Sequence, residues 1–398
     1  MNTPHRGVTA TLAALRLDDQ ELVEAGDPGG MLRQIASSAA QIRSALRAAE
    51  EADLSGFRPD SRPRAIIVAG TGGSAFAGEV LAAVCGTGTP VQVVSVHGYQ
   101  LPGWVGAADL VIAVSASGAG EETLALAAEA VRRGCDFAGV GAAGTPLQEM
   151  AVRARGAYVP VTVNGLARSA PWSLAVPPLV IAARFGVARI DAPVCEDSAV
   201  ALEEIAHQCR PSSESFVNPG KSLALDLVGA LPMIWGGSLP ALVAARRFAS
   251  QLAASAKYPA LAGVLPDVGH DQVAVFDGPF APVPTPQFPE AEDFDFDSPE
   301  PEPDLGDGAL IPRLVLIADP AGEYPPVTRM REAAASLAAA RGIDVSELNA
   351  AGEHPLRRLA GVVQLIDYAA AYLGIACGID PSSGAAIGDL RDFTERAV

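Results

Sequence analysis

Residues 64–74 read Arg-Ala-Ile-Ile-Val-Ala-Gly-Thr-Gly-Gly-Ser. An unbroken apolar run ends in a Gly/Ser turn, and an apolar helical stretch follows to Val84. This order predicts a strand, a tight turn and a helix. A continuous apolar run, as opposed to alternation, means that both faces of the strand are covered, as in a parallel sheet. Working outward, Val91–Val96 and Leu110–Val114 read as strands. The second of these runs into Ser115-Ala-Ser117-Gly118-Ala-Gly120 and a helix through Arg133. Phe137–Val140 and Ala157–Val161 supply two more short strands. The expected fold class is α/β, with doubly wound parallel sheets flanked by helices. The first sheet has its strands near 65–70, 91–96, 110–114, 137–140 and 157–161. Their carboxyl ends should converge on Gly73, Ser74, Ser115 and Ser117.

The second half resembles the first. Leu231-Pro-Met-Ile-Trp-Gly236-Gly237-Ser238 with a helix over Leu242–Ala253 parallels residues 66–84, and Arg313–Asp319 with a helix over Val327–Arg341 parallels residues 110–133. Upstream, Met31, Leu32, Ile35, Ala39, Ile42 and Leu46 are spaced for an amphipathic helix over 31–53. The sequence therefore divides into an N-terminal helical segment (1–60), a first α/β domain (61–198), a connecting segment (199–217) and a second α/β domain (218–398). Nine acidic residues and no basic ones lie between Glu290 and Asp307, and prolines are dense from Pro279 to Pro303. Such a stretch cannot bury enough apolar surface to offset chain entropy, so a disordered insertion is expected at about 277–310. A docking tail for a basic partner is the functional alternative.

The chain has 398 residues, 49% hydrophobic and 19% charged, which excludes a wholly disordered protein. The net charge of −18 opposes binding to a phosphate backbone, so nucleic acid is not an expected partner. No run of uninterrupted apolar residues reaches the length of a membrane span. The N-terminus lacks a signal-peptide core. These features point to a cytoplasmic protein. The five cysteines are scattered and form no C-x-x-C pair, so they read as reduced thiols. His5, His97, His207 and His354 have no metal-ligand spacing, and no metal or other cofactor is assigned. Lys221 and Lys257 are the only lysines among 28 basic residues, a sign of positions that need a compact point charge.

The two Gly/Ser turns of the first half carry the chemistry. Each lies where a parallel strand ends and a helix begins, where unpaired backbone N–H groups and the helix dipole favour an anion. Serine hydroxyls add donors, and glycines allow close approach. Neither turn continues into the Lys-Ser/Thr of a nucleotide P-loop, and neither fits a dinucleotide fingerprint. Two such turns in one sheet favour a phosphorylated ligand over simple helix capping.

Gly72-Gly73-Ser74 followed by Ser115-x-Ser117-Gly118-x-x-x-Glu122-Thr123 resembles the sugar isomerase (SIS) domain. Leu101-Pro102, Arg168, Asn218-Pro-x-Lys221, Arg247, Ala256-Lys257 and Gly269-His270 follow in the order of the bifunctional phosphoglucose/phosphomannose isomerases. So do the closing helix Arg358–Leu373 and Gly378-Ile-Asp-Pro381. The resemblance implies aldose–ketose isomerisation through a cis-enediol, to fructose 6-phosphate. It places Gly72, Gly73, Ser74, Ser115, Ser117, Gly118, Glu122, Thr123, Lys257 and Arg391 at the substrate. Arg168 stabilises the enediolate, and His270, reaching in from the second subunit of a homodimer, opens the ring. A positive mean hydropathy also fits a buried subunit interface.

The sequence departs from that family at several positions. The family's catalytic glutamate, in Asn-Glu-Asn-Ala-Lys, is matched by Ala254 in Ala253-Ala254-Ser255-Ala256-Lys257. A methyl group cannot take a proton. Ala119-Gly120 replaces an Asn-Thr pair, removing a hydroxyl. Arg391 stands where the family has lysine, and Gly269 and Asp271 replace the asparagines beside the histidine. The expected function is a phosphosugar-binding isomerase-like protein with weakened or lost turnover. The alternative is a non-catalytic sugar-phosphate sensor or interaction protein. Taken singly, His270 reads as a surface side chain, Glu122 as a first-turn carboxylate favoured by the helix dipole, and Arg168 as solvated.

Overall fold

The structure is a computed structural model and describes residues 10–58, 60–282 and 311–396. The chain divides into two compact units. One comprises Pro28–Arg210 and Ala350–Tyr368; the other comprises the N-terminal residues through Asp27, Pro211–Asn349 and the chain from Ala369 onward. Neither unit is a single stretch of sequence.

The Pro28–Arg210 unit holds five strands: β1 (Ala65–Ala69), β2 (Gln92–Val96), β3 (Leu110–Ser115), β4 (Asp136–Gly141) and β5 (Ala157–Pro160). All pair in parallel, in the order β2-β1-β3-β4-β5. Every residue of β1 and β3 is buried, as their unbroken apolar runs require. On one face Ile67, Val111 and Phe137 pack with Leu126 and Ala127 of the helix Glu121–Arg132 and Leu147 of the helix Pro146–Arg153. Elsewhere in the unit, the helix Pro171–Arg184 packs against β3, β4 and the helices Ser38–Glu51 and Phe76–Cys85.

The other unit repeats the plan with four strands: β6 (Ala230–Gly236), β7 (Leu261–Val264), β8 (Ile311–Ala318) and β9 (Val345–Asn349). They are parallel, in the order β7-β6-β8-β9. Met233, Trp235, Leu314 and Leu316 form its core with Phe276, Ala334 and Ala338. Trp235 and Phe276 stack with ring centroids 5.6 Å apart.

Several expectations need correction. The predicted helix over 31–53 is two helices, Met31–Ala36 and Ser38–Glu51. The break falls at Ser37, where the Ser37 and Ser38 hydroxyls donate back to the Gln34 and Ile35 carbonyls at 2.7 Å. The stretch 199–217 is helical through Gln208, so the change of unit falls at Pro211. The helix after β6 runs Leu239–Gln251 and then loosens into a π-turn over Leu252–Ala256. The first residues of the expected insertion are ordered: Asp277 ends a 3-10 turn and pairs with Arg341 at 2.6 Å, and Ala281 is buried. The acidic run itself, 290–307, lies outside the described residues. Against the expectation of no span-length segment, the helix Pro355–Ala376 is long and apolar enough to cross a membrane. Most of that window is buried within the fold, as in the core helix of a globular protein.

Two charged residues hold local geometry. Lys221 is buried, and its ammonium donates to the carbonyls of Leu17, Pro211 and Ser213 at 2.5–2.7 Å. Desolvation lowers its pKa. At the foot of β3, buried Asp109 accepts two bonds from Arg64 (2.6 and 2.9 Å) and one from the Gly106 amide (2.9 Å). Burial alone would raise the Asp109 pKa, but these donors outweigh it and hold the carboxyl below its usual range. Stabilisation from a depressed carboxylate is complete above the ordinary aspartate value near pH 4 and is lost as pH falls through the folded value. Asp109→Asn should therefore cost about 1–3 kcal/mol at neutral pH, with the difference from wild type shrinking in acid. Denaturant titrations at several pH values check this, and a cost that grows in acid would contradict it.

Candidate functional site

In the Pro28–Arg210 unit the chain connects outward in opposite directions from β1 and β3. In doubly wound sheets this switch point opens a crevice at the carboxyl ends of the strands. Both Gly/Ser turns lie there. β1 ends at Ala69 and passes through Gly70 into a single 3-10 turn, Gly72–Ser74. β3 ends at buried Ser115 and passes through Ser117 and Gly118 into the helix Glu121–Arg132. The Ala116 amide donates to the Ser74 hydroxyl at 3.3 Å, joining the two turns. The Gly120 amide donates to the Ser115 hydroxyl at 3.4 Å, and Ser117 accepts from the Ala119 amide at 3.3 Å.

Glycines make these turns possible. Gly72 and Gly118 have φ of 56° and 64°, where a side chain is strained. A Cβ on Gly118 would lie 2.2 Å from the Thr145 hydroxyl oxygen. That threonine is held by Ala142 and Tyr158, so the β3 turn rests on the loop after β4. A Cβ on Gly73 would lie 2.9 Å from the carbonyl carbon of Ala167 and 3.0 Å from the Arg168 nitrogen. The β1 turn thus meets the 3-10 turn Ala167–Ser169 backbone to backbone. This brings Arg168, nearly a hundred residues distant in sequence, beside Gly73. Gln34 secures that second turn by accepting from the Leu166 amide and the Ser169 hydroxyl.

The helices that start at this rim carry no side-chain cap: neither Ala75 nor Gly120 caps its helix. Uncapped N–H groups at a helix start are available to an anion. Thr123 is buried one turn in; Glu122 is half-buried and Glu121 exposed. The β2 end contributes His97 and Tyr99. The His97 Nδ1 lies 2.8 Å from the Gly70 carbonyl oxygen. Partial desolvation, and then the carboxylates of Glu121 and Glu122, push the Tyr99 phenol above its usual range. Neither residue is marked as part of the site by its sequence context.

The switch point of the second sheet, between β6 and β8, has the same turns but different contents. The Gly322 amide donates to the Asp319 carbonyl at 2.8 Å, just as the Gly118 amide donates to Ser115 at 3.0 Å. There Ser238 caps its helix through the Ala241 amide (3.2 Å) and donates to the Asp319 carboxylate (2.6 Å). Glu323, fully buried, accepts from the Asp319 amide at 3.0 Å, from Thr328 at 3.1 Å and from Arg331 at 3.2 Å. Carboxylates of the chain itself fill this second cradle.

The remaining expected residues belong to this second unit. His270 is exposed on the loop after β7. Arg391 is exposed on the helix Ala385–Arg396. Ala254 lies in the π-turn, which closes on Lys257 at φ 56°, a left-handed conformation uncommon for a lysine. The Lys257 ammonium donates to the carbonyls of Ala254 at 2.9 Å and Ser383 at 2.7 Å, securing the turn to the segment that follows the long helix. Single π-turns and strained residues concentrate at functional sites. The backbone at the base position is thus unusual although its carboxylate is missing. Among the described residues no three His, Cys, Asp or Glu side chains form a metal set.

Residues 216–393 match the bacterial phospho-glucose isomerase C-terminal SIS domain. A bifunctional phosphoglucose/phosphomannose isomerase of Caldicellulosiruptor bescii is 27% identical over 214 residues. The similarity to SIS-domain phosphoglucose isomerases is thus carried by residues 216–393. That alignment spans 54% of this chain and 63% of the relative, less than two thirds of its length. Solved structures share the fold at lower identity. A glucose-6-phosphate isomerase of Chlamydia trachomatis aligns with TM-score 0.65 and 13% identity, over 98% of this chain and 85% of that one. A hypothetical protein of Thermus thermophilus gives 0.65 and 17%, over 98% and 95%. The tagatose-6-phosphate ketose/aldose isomerase of Escherichia coli gives 0.61 and 15%, over 92% and 95%.

Contact between the β1 turn and the Arg168 turn is open to direct test. Gly73→Ala must force the two backbones apart and should cost about 1–3 kcal/mol. A variant as stable as wild type in thermal unfolding would show that the turns do not bear on each other.

Proposed function

We propose that this protein binds a hexose 6-phosphate at the β1/β3 switch point and interconverts its aldose and ketose forms, with fructose 6-phosphate as the ketose. One observation carries this reading: two glycine-rich turns, each leading into an uncapped helix, joined through Ser74 and flanked by Arg168. In this reading Ser74, Ser115, Ser117 and Thr123, with the amides around Gly72, Gly73 and Gly118, hold the phosphate by charge-assisted hydrogen bonds. Glu122 lines the sugar side. Arg168 stabilises the enediolate, where charge develops during proton transfer. His270, supplied by the partner subunit of a homodimer, opens the ring. Lys257 acts as a positioning residue for the π-turn, and Arg391 is the counterpart of the family's lysine. No cofactor is needed, because the reaction only moves protons. The protein works in the cytoplasm, away from nucleic acid and membrane.

Ala254 sets the rate in this reading. Loss of a general base costs roughly 10²–10⁴-fold, or about 3–5 kcal/mol of barrier. The same residue favours a second reading, in which the site binds sugar phosphate as a sensor without turnover. The double variant Ala254→Glu with Gly120→Thr restores a carboxylate and a phosphate hydroxyl. A Cβ on Gly120 lies 3.3 Å from the Ser115 hydroxyl oxygen, so the threonine needs only a small adjustment. Isomerase activity should rise at least tenfold in a coupled assay on fructose 6-phosphate. Wild-type turnover at ordinary isomerase rates would refute the damaged site. A double variant that binds fructose 6-phosphate and stays inert would favour the sensor.

A further inference from the structure

The reaction proposed above needs a base between C1 and C2, and Ala254 does not supply one. The β2 end offers a candidate that the site description leaves unused. His97 follows the last residue of β2, on the same rim as the β1 turn. A carbonyl can only accept, so the 2.8 Å contact with the Gly70 oxygen places the imidazole proton on Nδ1. The Nε2 lone pair is then the basic position, and no hydrogen bond among the described residues occupies it.

The bond to Gly70 keeps this group beside the crevice. The connection from β2 to β3 is tied at its start to Gly70. Further on, the Leu101 amide donates to Glu129 at 2.7 Å, and Arg133 donates to the carbonyls of Pro102 and Val105. The link therefore leaves the β1 turn and is fastened further on to the last turn of the helix Glu121–Arg132, the end away from the β3 turn. Tyr99, between these ties, lies in the field of Glu121 and Glu122 at that helix's start. Distance also fits the reaction. Adjacent strands stand about 4.8 Å apart, so the β2 end is roughly 10 Å from the β3 turn. A phosphate held between the β1 and β3 turns would project its sugar carbons away from the anion cradle, where a base must stand. Glu121 and Glu122 also carry carboxylates at this rim, but no hydrogen bond among the described residues orients them.

We propose that His97 is a catalytic base of this protein, moving the proton between C2 and C1 of the bound sugar phosphate. Nε2 takes the C2 proton of the open-chain aldose. The C–H electron pair becomes the C1–C2 double bond, and the carbonyl pair moves to O1, giving the enediolate. The imidazolium then returns the proton to C1 as the C2 carbonyl forms, with a proton passing from O2 to O1. No external reactant is consumed. This proposal rests on the aldose–ketose reading.

His97→Asn tests it, because the asparagine amide can keep the donor to Gly70 while removing the Nε2 lone pair. Wild type and variant are incubated with fructose 6-phosphate in deuterated water. Deuterium at C1 is read by proton NMR, and fructose 6-phosphate affinity by calorimetry. The expected result is deuterium uptake by wild type, a fall of roughly 10²–10⁴-fold in the variant and an affinity within about twofold of wild type. Added imidazole should restore part of the exchange in His97→Ala, which a purely structural role would not allow. Exchange in His97→Asn at the wild-type rate, or tight binding by wild type without any exchange, would overturn the assignment. Failure of wild type to bind fructose 6-phosphate at all would instead remove the aldose–ketose reading, and the assignment with it.

Discussion

The bond from the Ala116 amide to the Ser74 hydroxyl joins the ends of two neighbouring strands from which the chain departs in opposite directions. The geometry of the candidate site depends on that departure. Right-handed crossovers send the links from β1 and β3 to opposite sides of the sheet, so a gap opens between their carboxyl ends. Helices that begin at the gap present free amides toward it. A parallel sheet cannot avoid making this gap; the choice left to the sequence is what fills it. Small residues leave it to a ligand, whereas long acidic ones close it.

The two sheets illustrate both outcomes. At the β1/β3 gap the turns carry glycine, alanine and serine, and neither Ala75 nor Gly120 caps its helix. At the β6/β8 gap Ser238 caps its helix, and Asp319 and Glu323 occupy the space. Glu323 accepts the Asp319 amide there, as an external anion would, and Arg331 balances its charge. The internal resemblance between the halves is thus one of backbone and not of chemistry. Of these two gaps, only the β1/β3 one is open to a ligand.

Much of this was legible in the sequence. The strand positions followed from unbroken apolar runs, because a strand covered on both faces admits little else. The Gly/Ser turns could be placed because glycine and serine interrupt those runs at strand ends. The contact of Arg168 with Gly73 could not be read, since it depends on how closely two distant backbones approach. Nor could the π-turn at Ala254, whose local sequence is plain helix-forming alanine. The split at Ser37 arose from serine hydroxyls bonding backward, a competition that apolar spacing does not report. Nothing in the sequence around Glu323 announces its partner Arg331, eight residues on. His97 lacked any signal, for its partner is the carbonyl of Gly70, at the end of a different strand. The interleaving of the two units was hidden too: one change of unit falls inside the continuous helix Pro355–Ala376, which nothing in its apolar sequence marks.

The β1/β3 gap, and not the β6/β8 gap, is expected to receive the phosphate of a sugar phosphate. A crystal structure of the full chain with fructose 6-phosphate tests it most directly. The phosphate should lie within hydrogen-bond reach of Ser74, Ser115 and the amides around Gly118, with Glu323 still on the Asp319 amide. A phosphate bound beside Ser238 and Gly322 with Glu323 displaced would contradict it, as would a β1/β3 gap left empty at saturating ligand.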